Sequence, residues 1–390
     1  MIPRYSPTHS FSDLFRGWKE RLHEDTEENL RYHLAKLYHA KHIYLLRTAG
    51  AALYALLKAY NRPGGVLTSS YNDLVVPEVI RYAGYYPVFA DIDYETLQMD
   101  IDSVDRASLS DVTVVVPVHL FGVPCEWGGV ERIQKQEKPL IIEDVAPAFG
   151  AEYQGHPAGN LGDAAILSFH HTKIISAELG GVLITNDDEL AKKLDQILKD
   201  FPVPKDDLSL FLKALARKVL TGRSIYSITH AAYRILNGEQ MYQIAPHRAD
   251  PPKYFASLCP RFSSALLLTQ LDRLEWNLRR RRKIAQIYQD ELSDIPEIKF
   301  PHIPENSSPA WIQFPILVSN KEKFYKYMQR NGIDLSWTWR YSCAESFGLD
   351  GFPNTQKAAK TLLGLPTYPS LTDDDAHYIC DVIRKFKFDH

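Results

Sequence analysis

Apolar residues along this 390-residue chain recur with two different periods, and the changes of period divide it into elements. Between residues 26 and 41, Leu30, Leu34 and Leu37 fall at helical spacing. Acids come early and lysines late in that stretch, which complements a helix dipole. A short apolar run, His42 to Leu46, then meets the small-residue turn Arg47-Thr48-Ala49-Gly50, and AALYALLKAY predicts a second helix. Strand-like runs follow at 66–68, 86–91, 112–118 and 140–143, with a helix predicted from Leu74 to Tyr82. The run VTVVVPV at 112–118 is apolar on both faces, as an interior parallel strand requires. Residues 188–199 read as an amphipathic helix and 208–236 as one or two more, followed by a proline-interrupted stretch through Pro252. One long helix is predicted from Ser263 through QLDRLEWNLRRRRKIAQIYQDEL. Beyond it come a strand in IQFPILVS, a helix in KEKFYKYMQRNGI and a final helix from Asp373 to Phe386.

Strands alternating with helices at this spacing predict an α/β protein, with a mainly parallel sheet covered by helices and a smaller C-terminal α+β domain. The expected division is a large domain over 1–255, carrying a basic helical elaboration at 208–238, and a small domain over 256–390. In such sheets ligands gather at the C-terminal ends of strands. Thr48, His119, Asp144 and Ser168 all fall at or just past such ends.

Composition narrows the class. With 45% apolar and 24% charged residues the chain is an ordinary globular protein, and its formal charge of −3 gives no electrostatic reason to expect a nucleic-acid partner. Four cysteines are widely scattered with no CxxC pair, as expected of reduced structural thiols. No basic region followed by an apolar one opens the chain, and no apolar run approaches membrane-spanning length, so a cytoplasmic location is expected.

The candidate chemistry centres on DAAILSFHHTKIISAELGG at 163–181. Lys173 lies five residues after Ser168, just ahead of Gly180-Gly181, and 29 residues after Asp144. A lysine and a carboxylate delivered by neighbouring strand ends meet the needs of pyridoxal 5'-phosphate, which takes an amine for a Schiff base and an acid partner for its pyridinium nitrogen. Such a lysine must be unprotonated near neutral pH, a state that burial or a neighbouring cation promotes. Ser168 and the amides of Ala49 and Gly50, at a helix start, are candidate phosphate ligands. The alternatives are that Ser168 satisfies a turn and that Asp144 caps a helix. His119 is placed at the border of the cofactor, and His170 and His171 as packing or solvated residues. No paired acids at ligand spacing accompany these histidines, so no metal site is expected. A GxSxG elbow and a GxGxxG turn are both missing, which argues against a serine hydrolase and a dinucleotide fold.

The run IIEDVAPAFGAEYQGHPAGNLGDAAILSFHHTK, followed by GGVLITNDDELAKKL, resembles the DegT/StrS nucleotide-sugar aminotransferases. These are pyridoxal-phosphate enzymes of fold type I, the aspartate aminotransferase class. RTAGAAL, GYYPVFADIDYETLQMD, VVVPVHLFGVP, QLDRLE and GLPTYPSLTDDD extend the resemblance over nearly the whole chain in the family's order. It implies a large domain on a seven-stranded, mainly parallel sheet. It also implies Lys173 as the Schiff-base lysine, Asp144 as the pyridinium partner, and Ser168 with Thr48, Ala49 and Gly50 around the phosphate. The implied reaction moves an amino group, commonly from L-glutamate, to a keto-sugar carried on a nucleotide, in a homodimer with active sites at the subunit interface. Related dehydratases carry histidine in place of this lysine, so its retention favours transamination. The alternatives are action on a non-sugar ketone, an elimination, or a non-catalytic regulatory member.

Several positions depart from the family pattern. Pro147 stands where relatives commonly carry Gln or His. Asp73 aligns with the aromatic that usually stacks on the cofactor, making Tyr71, two residues earlier, the expected substitute. The asparagine that reaches the phosphate from the neighbouring subunit is missing between Asp250 and Ser264. Arg340 and Tyr341, in WTWRY, are candidates for contacting substrate. The stretch 208–236 carries no acid between Asp207 and Glu239. One reading rests it on an anionic membrane surface; the favoured one packs it against the large domain or a partner subunit with its charges in water.

Overall fold

The computed structural model describes residues 1–237 and 246–388. Helix α1 (Phe11–Glu20) starts at a reciprocal capping box between Ser10 and Asp13, and α2 (Thr26–Tyr38) buries Leu30 and Leu34 as their spacing predicts. Then follow β1 (His42–Leu46), α3 (Ala49–Tyr60), β2 (Gly65–Ser69), α4 (Val75–Tyr82) and β3 (Tyr86–Ala90). The next elements are α5 (Arg106–Leu109), β4 (Val112–Val116), α6 (Gly128–Glu137) and β5 (Leu140–Asp144). Short strands β6 (Glu152–Tyr153) and β7 (His156–Pro157) precede β8 (Ala164–Ser168), β9 (Gly181–Thr185) and α7 (Asp188–Leu198).

Seven of these strands form one sheet in the order β1-β9-β8-β5-β4-β2-β3. Strand β9 runs against β1 and β8, and the other pairings are parallel. Every residue of β2, β4, β5, β8 and β9 is buried, which accounts for their unbroken apolar runs. Because β9 is reversed, its first residue meets the ends of its neighbours: Gly181 lies opposite both Leu46 and Ser168. One edge of the sheet thus collects the ends of β1, β5 and β8.

After α7 come α8 (Asp207–Leu220) and α9 (Arg223–Asn237). The single long helix expected from Ser263 is instead two, α10 (Arg261–Leu271) and α11 (Leu274–Leu292), broken at Asp272-Arg273. The helical period continues through the break, so only packing separates the two. Helix α10 packs on α1, α2 and α8, whereas α11 packs on the C-terminal helix. The expected division at 255/256 therefore falls ahead of a helix whose partners belong to the large body. The C-terminal body holds β10 (Ile298–Lys299), β11 (Ser307–Ser308), β12 (Phe314–Val318), α12 (Lys321–Arg330), α13 (Pro353–Thr361), β13 (Leu362–Leu365) and α14 (Asp373–Arg384). Strands β10, β12 and β13 form an antiparallel sheet, while β11 joins β6.

The basic segment packs on the large body; Lys213 and Arg223 stay exposed, while Arg217 and Lys218 are partly buried. Leu210, Phe211 and Ala214 of α8 are buried beside α1 and α10. Arg217 pairs with Glu178 at 2.9 Å, Lys218 donates to the Pro7 carbonyl at 3.1 Å, and Arg223 meets Asp375 at 2.6 Å. The residues left exposed include Leu208, Leu212, Val219, Leu220, Ile228 and Ile235. Gly238, the last residue of the expected elaboration, lies outside the described residues. Among the described residues no helix is long and apolar enough to cross a membrane.

Candidate active site

At the collecting edge of the sheet is a cavity of about 470 Å3. Its floor comes from Thr48, Ala49, Gly50, Asp144, Ser168 and Lys173. Six of the residues expected to form the site are thus together there.

Each is placed by a local constraint. Thr48 is extended and caps α3, its hydroxyl accepting the Ala51 amide at 3.1 Å. The Ala49 and Gly50 amides precede the helix's own bonds and have no acceptor among the described residues, so they stand ready for an anion. Opposite them, a Cβ on Gly181 would lie 2.1 Å from the Thr48 carbonyl carbon. Only glycine lets β9 approach the turn so closely, and the Gly180 amide adds a 2.8 Å bond to the Arg47 carbonyl. Ser168 ends β8 and is 8% exposed.

Asp144, 4% exposed, ends β5; its Oδ1 accepts the Ala146 amide at 2.9 Å. Desolvation raises its pKa, opposed by the Ala146 bond and by the positive charge of Lys173. Burial pushes the Lys173 ammonium below the usual lysine range, and the carboxylates of Asp144 and Asp73 work against that push. A desolvated amine, a buried acid and a cup of free amides fit pyridoxal phosphate: the amine suits its aldehyde, the acid its ring nitrogen, and the amides its phosphate.

Other expected residues lie elsewhere. Tyr71 does not line the cavity; its ring is fully buried and packs edge-on against Trp339 at 5.1 Å. Asp73, the departure from the family aromatic, does line it. His119 sits one layer below. Its Nδ1 accepts the Cys125 amide at 3.0 Å, which fixes the neutral ring with Nε2–H donating to Glu143 at 3.0 Å. Glu143 also accepts the amides of Gly159, Leu161 and Gly162, so this pair braces the loop beneath Asp144. Arg340 stacks over Trp337 at 3.8 Å and borders a separate groove with Lys321 and Lys360; Tyr341 lines neither.

The structure also adds residues that the sequence did not single out. Val75, Glu78, Val79 and Tyr82 of α4 form one wall, and Arg248, Pro252 and Phe255 close it from the return of the inserted stretch. The amphipathic pattern of 208–236 marked a departure, but nothing local to Arg248 or Phe255 indicated where the chain returns.

The profile of the DegT/DnrJ/EryC1/StrS aminotransferase family matches residues 16–208 and 259–384. The chain belongs to this family. It is a pyridoxal-phosphate-dependent aminotransferase of fold type I. The spore coat polysaccharide biosynthesis protein SpsC of Bacillus subtilis is 29% identical over 366 residues, covering 88% of this chain and 85% of its own. Two solved structures share the fold. The sugar aminotransferase CalS13 from Micromonospora echinospora has a TM-score of 0.77 at 22% identity, covering 99% of this chain and 100% of its own. PseC from Helicobacter pylori, an aminotransferase involved in the biosynthesis of pseudoaminic acid, has a TM-score of 0.77 at 17% identity, covering 98% of each chain. Residues 209–258 fall between the two matched spans of the family profile.

Proposed function

We propose that this DegT/StrS aminotransferase moves an amino group from an amino acid, with L-glutamate the expected donor, to a keto-sugar carried on a nucleotide or a related carbohydrate intermediate. The observation that carries the reading is the convergence of Lys173, Asp144 and the free amides of Ala49 and Gly50 in one cavity. The carbohydrate acceptor is supported by the family and by relatives named for polysaccharide and sugar biosynthesis.

Pyridoxal phosphate supplies an electron sink for the charge left when a proton leaves the donor's α-carbon. Lys173 would be the attachment point and, as a free amine, the base that carries that proton; its depressed pKa suits both tasks. Asp144 holds the ring nitrogen's proton by its negative charge. Ser168 and the amides of Ala49 and Gly50 hold the phosphate, with Thr48 capping the helix that presents them. Tyr71 and His119 drop out of the contacting set and act through packing and through the loop below Asp144. Arg340 and Tyr341 are not in the cavity, so the acceptor's contacts are assigned to its other walls. A homodimer belongs to this reading, on the strength of the family resemblance.

Borohydride reduction of the cofactor-loaded enzyme followed by peptide mapping is expected to place the pyridoxyl group on Lys173; a label on another lysine sinks the assignment. Incubation with L-glutamate and a panel of keto-sugar nucleotides is expected to release 2-oxoglutarate in step with an aminated sugar. Release of ammonia without an aminated product would instead identify an elimination.

A further inference from the structure

The cavity has two ends. Asp73, whose charge acts on both Lys173 and Asp144, marks the inner one, beside the amide cup. From there the cavity follows α4 toward Tyr82, where its wall is Arg248. Arg248 belongs to the stretch between the matched family spans, so the family profile assigns it no role.

That stretch is firmly seated. The Arg248 amide donates to Glu78 Oε1 at 2.6 Å, and Tyr82 donates its hydroxyl to the Arg248 carbonyl at 3.3 Å. His247 stacks on Phe347 with centroids 4.6 Å apart and planes 13° apart, and its Nδ1–H donates to the Ser346 carbonyl at 2.7 Å. Further on, Phe255 packs edge-on against Tyr54 and Tyr82, each at 5.8 Å. The Ser257 carbonyl accepts the Arg47 amide at 3.0 Å, and Leu258 bridges to Leu46. The backbone carrying Arg248 is therefore held against α4, the C-terminal body and the end of β1. The Arg248 residue is exposed, and the Glu78 contact is made by its backbone amide, not its guanidinium, which has no ion pair among the described residues. Glu78, the acid beside it, is already engaged by the Arg248 amide.

A fixed backbone presenting an unpaired planar cation at the outer end of a substrate cavity is arranged to take an oxyanion. Within the same stretch, Phe255 packs at the amide cup, its Cε2 3.2 Å from where a Cβ on Gly50 would stand. We propose that Arg248 grips a phosphate of the phosphorylated acceptor and so helps select nucleotide-linked sugars. This rests on the keto-sugar nucleotide reading above.

The test measures binding of the nucleoside diphosphates UDP and TDP to cofactor-loaded enzyme by calorimetry, for wild type, Arg248→Gln and Arg248→Lys. Wild type is expected to bind at least one of them. Arg248→Gln is expected to weaken it about ten- to a hundred-fold, the worth of a charge-assisted bond, with Arg248→Lys in between. Retention of pyridoxal phosphate on dialysis should match wild type in both variants. Equal nucleotide affinity in wild type and Arg248→Gln overturns the inference and leaves the acceptor reading standing. Loss of cofactor with unchanged nucleotide affinity also overturns it, by assigning Arg248 to the cofactor's phosphate. Failure of wild type to bind any nucleoside diphosphate removes the nucleotide reading itself, and the inference with it.

Discussion

Residues 140–181 and residues 209–258 both reach the cavity, by different means. The first stretch does so through strand ends: Asp144 and Ser168 terminate adjacent buried strands, and Lys173 follows in a tight turn whose amide bonds back to His170 at 2.9 Å. The second does so only through a return strap, while side chains from its helices fasten it to the large body. Arg217 reaches Glu178, five residues after Lys173, and Lys218 reaches Pro7. The strap then supplies Arg248 and Phe255. The first stretch buries its apolar residues, while the second spends much of its polarity inward and leaves Leu208, Leu212, Ile228 and Ile235 outside. A sheet edge thus holds chemistry by backbone register, and an inserted segment is held by charge pairs.

Three changes probe this contrast. The largest effect is expected from the register itself. Gly181→Ala would force a Cβ onto the Thr48 backbone, so a loss of about 3 kcal/mol is expected. The separated turn should also bind pyridoxal phosphate at least about ten-fold more weakly, since a charge-assisted bond is worth about 1.5–3 kcal/mol. Denaturant unfolding and cofactor titration check both; a variant that keeps full cofactor affinity would show that the close approach is dispensable.

Next is the charge pair. Glu178 is buried with a φ of +63°, and Arg217 pairs with it, contacting both carboxylate oxygens at 2.9 to 3.2 Å. Arg217→Met leaves that acid unpaired and is expected to cost about 2 kcal/mol, less than a fully buried pair because Arg217 is partly exposed. The double variant with Glu178→Gln should recover more than half of the loss. Equal losses in the single and double variants would mean that α8 is held by its apolar face instead.

The smallest effect is pH-dependent. The N-terminal segment grips the loop after Lys173 through Thr8 and His9, both bonded to Ser176. Burial lowers the His9 pKa from 6.5 to about 4. The folded chain keeps this ring neutral while the unfolded chain takes up a proton below 6.5, so stability falls as pH drops toward 4 and is level above that window. Between pH 6.5 and about pH 5.5 the expected loss is about 1 kcal/mol. His9→Gln should flatten melting temperature against pH over this range; an unchanged slope would assign the dependence to another group.

Much of the site was legible in the chain because parallel strands place their ends at one edge, so Asp144, Ser168 and Lys173 needed only correct strand ends to meet. The errors share one cause. Tyr71, His119 and Arg340 were placed by nearness in sequence or alignment, and side-chain direction carried each elsewhere: Tyr71 toward Trp339, His119 toward Glu143, and Arg340 onto Trp337. The break between α10 and α11 was invisible because the helical period does not lapse there, and only the change of packing partner reveals it.

By itself the sequence determined the α/β order, the strand ends and the lysine–aspartate–serine spacing, because period and turn chemistry are local properties. Tertiary structure alone decided that Arg217 and Lys218 of α8 turn toward Glu178 and Pro7, that Asp73 and not Tyr71 borders the cavity, and that Arg248 lines it. Those outcomes depend on which distant elements pack together, and no local pattern carries that information.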